Sequence, residues 1–339
     1  MRELFFLVGP TAVGKSALAI EAAEELGAEI VNADAFQIYR ELDILTAKPD
    51  ADAQRRAPHH LLSRVKLSER MSAVKFRAMA LVALNDIWRH GKPAIIVSGS
   101  GLYVKALTHG FDRAAPPNPT LRKELSALSE NELTRRLTEL APEMAVRTDL
   151  KNPRRVMRAI EIAEGRVRQE SAVIPSEVEG SRDGAFGVTT QDFSTSLRFA
   201  RDDSLMGAGQ DRTLRDAARA DGLRETRGVM LVRDRDDLHS RINERVQEMF
   251  REGVEEEVGA LKNIGPTAIQ ALGLREIQQL LAGEMSRDDC IAKIQQATRR
   301  YAKRQLTWFR HQTNFPQLNL TALSHREAIS AIMRIIAQQ

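Results

Sequence analysis

Apolar residues in this chain gather into short unbroken runs, and between the runs they recur at helical spacing. Leu4-Phe5-Phe6-Leu7-Val8 is the first run, Glu29-Ile30-Val31-Asn32-Ala33-Asp34 reads as the second, Ala94-Ile95-Ile96-Val97 as the third and Val229-Met230-Leu231-Val232 as the fourth. Continuous runs of this length suit strands buried on both faces, as in a parallel sheet covered by helices. Ala17, Leu18, Ile20 and Ala23 mark a helix that ends near Gly27. Val74, Met79, Val82, Ala83 and Ile87 mark another from Ser72 to His90, stopped by Gly91-Lys92-Pro93. Leu238, Ile242, Val246, Met249 and Phe250 line one side of a third. Strand and helix alternate, which predicts an α/β fold.

The pattern breaks twice. Past Gly110, Pro116, Pro117 and Pro119 punctuate a linker, and helical segments follow at about 121–140 and 152–164. From about Gln169 to Thr226 the chain is rich in Gly, Ser, Thr, Asp and Arg and has little apolar periodicity. Such a segment buries little core and is expected to be flexible. The predicted organisation is a first core part at 1–111, a helical insertion at 112–168, an irregular insert at 169–227, and a return to the core with C-terminal helices at 228–339.

Composition narrows the classes. A chain of 339 residues has room for an α/β domain with an insertion. Fifty Lys and Arg stand against 46 Asp and Glu, so any nucleic-acid reading must rest on clusters of positive charge. The single cysteine, Cys290, allows no internal disulfide and no cysteine metal site. No apolar run approaches membrane-spanning length, and the N-terminal strand does not read as a signal peptide. A cytoplasmic protein without a membrane partner is expected.

Candidate chemistry starts where the first strand ends. Gly9-Pro10-Thr11-Ala12-Val13-Gly14-Lys15-Ser16 lies between that strand and the first helix, the context of a phosphate-binding P-loop. Its backbone N–H groups and the helix N-terminus would hold a di- or triphosphate. Lys15 would reach the outer phosphate, and the Ser16 hydroxyl would sit on a magnesium ion. Asp34 falls at the carboxyl end of the second strand, the edge that faces the ligand crevice in an open parallel sheet. Ser98-Gly99-Ser100-Gly101 follows the third strand at the same edge. Arg154 and Arg158 share a helix face, and Arg299, Arg300, Lys303 and Arg304 form a positive stripe, the best nucleic-acid footprint in the chain.

With these residues collected, the chain resembles the tRNA dimethylallyltransferases, also called tRNA isopentenyltransferases. The likeness runs from Leu4 to Phe309 apart from the irregular segment. Gly9–Ser16 resembles the family's opening loop, and Asn32–Arg40 its Asp-Ser-x-Gln-Val-Tyr-Arg block, followed by Asp43 and Thr46-Ala47-Lys48-Pro49. Pro58-His59-His60-Leu61, Ser98–Tyr103, Asn152–Glu161, Thr267–Glu276 and Thr298–Arg310 match further blocks in order. Ala35 stands where serine is usual, Ser98 replaces a glycine, Ser100 a threonine, Leu45 the glycine of Asp-Ile-Gly-Thr, and Leu274 an aromatic.

The resemblance implies a P-loop NTPase-like parallel sheet flanked by helices, with a helical insertion domain. It implies transfer of a dimethylallyl group from its diphosphate to the exocyclic amine of the adenosine 3′ to the anticodon in tRNA, by a magnesium-dependent, monomeric enzyme. Lys15 and Asp34 would be catalytic, with Asp34 the general base. Gly9 through Ser16 would bind the diphosphate or a nucleotide such as ATP. Asp34, Ala35, Phe36, Gln37, Ser100, Arg122, Arg154, Arg155, Val156, Met157 and Arg158 match positions that meet the RNA. Two rivals carry other expectations. A small P-loop kinase would turn over nucleotide without prenyl transfer, and an RNA-binding switch protein would leave Asp34 without a task.

Overall fold

The computed structural model describes residues 3–110, 118–171 and 226–338, with only the backbone for 166–171. Packing groups the described residues into two compact units, one within Met1–Gly110 and Gly209–Gln339, the other within Phe111–Ala208.

The first unit is a parallel sheet with helices on both faces. Its strands are β1 (Leu4–Val8), β2 (Glu29–Asn32), β3 (His59–His60), β4 (Ala94–Ser98), β5 (Arg227–Val232) and β6 (Gln317–Asn319), in the order β3-β2-β4-β1-β5-β6. Every pairing is parallel; β1, β2, β4 and β5 fall on the predicted strands, whereas the short edge strands β3 and β6 carry no apolar run and are not expected from that pattern. Phe6, Val8, Val31 and Ile96 feed the core on one face, while Phe5, Leu7, Ile30, Ile95 and Val97 feed the other. Val8 pairs with Ser98 and Asn32 with Val97, so β1, β2 and β4 end level with one another. That shared edge positions the site.

The helices of this unit are α1 (Lys15–Leu26), α2 (Ala51–Arg56), α3 (Ala73–Arg89) and α4 (Gly101–Thr108) before the insertion. After it come α9 (Arg235–Arg251), α10 (Val254–Ala260), α11 (Leu274–Leu281), α12 (Arg287–Gln312) and α13 (His325–Gln338). In α3 the buried stripe is Phe76, Ala80, Ala83, Leu84 and Ile87, whereas Val74 is exposed. The face predicted through Val74, Met79 and Val82 is thus rotated. The i, i+4, i+7, i+8, i+11 stripe includes the larger Phe76 and Leu84 and wins the core. On α9 the five predicted apolar positions are all buried.

The second unit is helical: α5 (Pro119–Ser126), α6 (Glu130–Leu140), α7 (Pro142–Arg147) and α8 (Pro153–Ser171). The helix predicted at 121–140 is two, because Ser129 and Glu132 form a reciprocal capping box that starts a new one. α8 runs past the predicted 164. Leu121, Leu125, Leu133, Leu137, Val156 and Ile160 form its core. Apart from the end of α8 and Thr226, the segment expected to be flexible lies outside the described residues. Among the described residues no helix is long and apolar enough to cross a membrane.

Candidate active site

The loop from Gly9 to Ser16 leaves the end of β1 and turns into α1. Gly9 has φ +154°, and a Cβ there would stand 2.5 Å from the Leu231 carbonyl oxygen, so only glycine fits. Gly14 caps α1 in the left-handed region, and that cap supplies no side-chain hydrogen bond. The first turn of α1 also holds no acidic residue. Its N–H groups and positive dipole end are therefore left for an external anion.

Side chains from α9 and its approach brace the loop. Arg233 Nε donates to the Val13 carbonyl at 3.0 Å, and Arg241 Nε donates to that of Ala12 at 3.0 Å. Arg245 donates from Nη1 to Thr11 Oγ1 at 3.0 Å and from Nη2 to the Thr46 carbonyl at 3.1 Å. Gln305 of α12 accepts from Thr11 N at 2.9 Å and donates to the Gly99 carbonyl at 2.8 Å. Lys15 Nζ donates to the carbonyls of Gly9 and Pro10, at 3.0 and 2.7 Å. Burial pulls the Lys15 pKa down to about 8, against the pull of Asp34 in the other direction, and Arg245 lowers it further.

Asp34 follows β2 at the shared edge. Ala33 N donates to the Val97 carbonyl at 2.8 Å, and Ser98 Oγ donates to the Ala33 carbonyl at 2.9 Å, tying the ends of β2 and β4 together. The serine that replaces a family glycine thus makes a strand-end bond. Asp34 Oδ1 accepts from Phe36 N at 2.9 Å and Gln37 N at 3.3 Å, which orients the carboxylate. Its Oδ2 makes no hydrogen bond among the described residues. The negative charge of Asp34 adds to burial in raising the phenol pKa values of Tyr103 and Tyr301. Asn32, one step back on β2, is buried with its Nδ2 unpaired.

The rest of the acceptor-side block is built around Asp34. Gln37 Nε2 donates to the carbonyls of Thr46 and Ala47, at 3.0 and 3.1 Å, while Ala35 and Phe36 are half-buried. Glu257 of α10 accepts from the backbone N–H groups of Asp43, Ile44 and Leu45 at 2.6, 2.7 and 2.8 Å. Leu45 itself has no positive φ and is buried beside Gly273 and Ile294, so the missing family glycine leaves no backbone strain. Ser100 N donates to the Ser98 hydroxyl oxygen at 3.0 Å, and Ser100 stands at the start of α4 with no side-chain cap bond. At Gly101 the ring of Trp308 occupies the space of a Cβ, with Cδ2 only 2.2 Å from that position.

In the helical unit the RNA-facing candidates separate by environment. Arg122 makes a two-pronged pair with Glu161, at 2.8 and 2.7 Å, and Arg158 joins the same carboxylate at 3.1 Å. Glu161 is buried. Val156 is a core side chain and Met157 packs at the edge of that core. Arg154 and Arg155 are exposed; Arg155 stands 3.9 Å from Asp149, and Arg154 forms no ion pair among the described residues. On α12, Arg299 donates to Asn243 at 2.6 Å, Arg304 lies over the Tyr301 ring at 5.7 Å, and Arg300, Lys303 and Arg304 are exposed.

Arg233, Arg241, Arg245 and Glu257 carry no assignment from the sequence, and Gln305 stands there only inside the Thr298–Arg310 block. One signal was present. Arg241 and Arg245 are four apart, so they share a helix face, beside the apolar stripe of α9.

A parallel sheet whose first strand feeds a glycine loop and a helix, with the Asp34 carboxylate at the end of β2 one strand beyond β4, defines an α/β protein of P-loop NTPase-like fold. Within that class the chain belongs to the IPP transferase family, whose model matches residues 37–312. It is 37% identical over 311 residues to tRNA dimethylallyltransferase 1 of Citrifermentans bemidjiense, covering 91% of this chain and 89% of the relative. It is 38% identical over 315 residues to tRNA dimethylallyltransferase of Geobacter metallireducens, covering 91% and 89%. The crystal structure of full-length tRNA isopentenylpyrophosphate transferase from Bacillus halodurans is similar with a TM-score of 0.65 and 29% identity, over 100% of this chain and 96% of that one.

Proposed function

We propose that this protein transfers the dimethylallyl group of dimethylallyl diphosphate to N6 of the adenosine 3′ to the anticodon of tRNA, releasing diphosphate. The observation that carries the reading is the open Oδ2 of Asp34, held by its other oxygen at the edge where the Lys15 loop begins.

The Gly9–Ser16 loop binds the diphosphate through its free N–H groups and the start of α1. Lys15 turns from its own carbonyls to the phosphates, and its charge, with that of Arg245, stabilises the leaving group. Asp34 takes the N6 proton as the nitrogen bonds to carbon. To enter, the adenine leaves its stack. Phe36 and Gln37 beside Asp34, and Ser100 across from it, line this approach. The exposed Arg154 and Arg155 of the helical unit meet RNA phosphates.

The donor set suits magnesium bound mostly through the ligand's own oxygens. Among the described residues Ser16 offers one hydroxyl with no hydrogen bond, and no group of His, Cys, Asp or Glu is able to cage a metal. Ser16 would hold the ion, which neutralises diphosphate charge when bound.

Incubation with labelled dimethylallyl diphosphate, magnesium and unmodified tRNA tests the reading. Label should enter the RNA with release of diphosphate. Steady ATP hydrolysis without prenylated RNA would replace it with a P-loop phosphotransferase.

A further inference from the structure

We infer that Gln305 is a positioning residue that sets the spacing between the donor loop, Gly9–Ser16, and the acceptor-side loop, Ser98–Gly101. The inference rests on the transfer reading above and names how that site is held in register.

Gln305 is only 6% exposed and lies on α12, a long helix anchored by the buried Thr298, Ala302 and Phe309. Its amide has one possible orientation. Thr11 N can only donate, at 2.9 Å, and the Gly99 carbonyl can only accept, at 2.8 Å, so Oε1 faces the first and Nε2 the second. The approach is tight: a Cβ on Gly99 would stand 2.6 Å from Nε2. That same position lies 3.6 Å from the Gly9 carbonyl oxygen and 3.7 Å from Lys15 Nζ, so both loops and the lysine meet in one corner.

Beyond the strand ends, where Gly9 N donates to the Ser98 carbonyl at 3.2 Å, the described hydrogen bonds join the two loops through this amide alone. Thr11 is then fixed twice, at its N by Gln305 and at its hydroxyl by Arg245. Bond formation between donor carbon and acceptor nitrogen depends on the distance between the groups each loop holds. A displacement of about 1 Å at such a site costs about 10²-fold in rate.

Two variants of near-parental shape separate this role from simple support of the fold. Gln305→Glu sets a carboxylate oxygen against the Gly99 carbonyl, a repulsion relieved when the carboxyl is protonated and donates there. Burial favours that protonated form; Lys15 and Arg245 at the same corner oppose it, the former weakened by its own lowered pKa, and Tyr301 beside it is uncharged in this range. Gln305→Met keeps the volume and offers neither bond. Single-turnover rates and KM for each substrate are measured from pH 6 to 8.5, with melting temperature and calorimetric affinity for inorganic pyrophosphate alongside.

Both variants should lose about 10²-fold in the transfer step while KM for tRNA stays within about twofold of the parent. The deficit of Gln305→Glu relative to the parent should shrink as pH falls, and that of Gln305→Met should not. Parental transfer by either variant, or a Gln305→Glu deficit constant with pH, overturns the inference. If Gln305→Met does not fold, the pH profile of Gln305→Glu decides. A parent inert with tRNA and dimethylallyl diphosphate overturns the transfer reading instead. Pyrophosphate affinity then decides the clasp: a several-fold loss in the variants supports it, and unchanged affinity overturns it.

Discussion

Lys15 Nζ lies 2.7 Å from the carbonyl oxygen of Pro10, so the cation of the phosphate loop is hydrogen-bonded to the loop that carries it. The ammonium is thereby kept at the proposed phosphate site by carbonyls, while the carboxylate of Asp34 acts on it through charge without a hydrogen bond. In the proposed reading, donor binding would exchange these two carbonyl partners for charged oxygens.

That exchange has a pH signature. Burial lowers the Lys15 pKa from 10.5 to about 8, so the ammonium is intact below that pH and lost above it. A diphosphate favours the charged form and raises the pKa, so binding above about pH 8 takes up a proton. Affinity for dimethylallyl diphosphate in the absence of tRNA should fall as pH rises through this value. Calorimetry in buffers of different ionisation heat should report the uptake, and Lys15→Met should abolish both effects. Affinity independent of pH from 7 to 9.5 would show that Lys15 does not titrate there.

Arg122 and Arg154 should fail in opposite ways. Arg122 satisfies the buried carboxylate of Glu161, and its removal leaves that charge to Arg158 alone. Arg122→Ala should therefore cost about 1–3 kcal/mol of stability, with the salt dependence of tRNA binding unchanged. Arg154 is exposed and forms no ion pair among the described residues, so Arg154→Ala should change stability by less than about 0.5 kcal/mol. It should lower the log–log salt slope by about 0.7 to 0.9, as the loss of one phosphate contact does. Denaturant titration and binding across salt concentrations measure both. The reverse pattern would make Arg122 the phosphate contact.

What was legible in the sequence was local. Gly9–Ser16 joins a strand to a helix within one stretch, and Asp34 ends the next apolar run, so both could be placed without knowing the tertiary fold. Arg245, Glu257 and Gln305 come from more than 200 residues away and reach the site only through packing. A polar residue on an amphipathic helix reads the same whether it meets solvent or a loop carbonyl. Val156 shows the converse. It sits between arginines in sequence, but successive helical residues turn by about 100°, and its side chain enters the core with Ile160. In α3, apolar residues on more than one side hid the buried stripe until the sheet selected it.

Glu257 should matter beyond its own helix. Its carboxylate gathers the N–H groups of Asp43, Ile44 and Leu45, and the same loop offers the Thr46 carbonyl to Gln37 and Arg245. Glu257→Ala leaves three donors unpaired and frees the loop. A stability loss of about 1–3 kcal/mol is expected. Single-turnover transfer should fall by about tenfold, because Arg245 and Gln37 lose a fixed partner. Glu257→Gln keeps one oxygen and should fall between. A stability loss with full transfer activity would confine Glu257 to folding.

In the proposed mechanism Asp34 is the general base. Its Oδ1 is tied to Phe36 N and Gln37 N, and Oδ2 is left open at the edge shared by β1, β2 and β4. Adenine's exocyclic amine is a weak nucleophile whose proton becomes acidic only as the nitrogen bonds to carbon. A carboxylate is therefore needed in the transition state, where general-base help is worth about 10²–10⁴-fold. Asp34→Asn keeps the size and, with its amide oxygen toward Phe36 and Gln37, the orienting bonds, while the open atom becomes a donor. The transfer step should slow by about that factor, with donor and tRNA affinities little changed. Ala35→Ser, which adds the family's hydroxyl beside it, should leave this requirement in place. Single-turnover transfer at saturating substrates is the measurement. Parental rates from Asp34→Asn would mean that another group takes the proton, and Tyr103 and Tyr301, whose raised pKa values keep them protonated, do not meet that need.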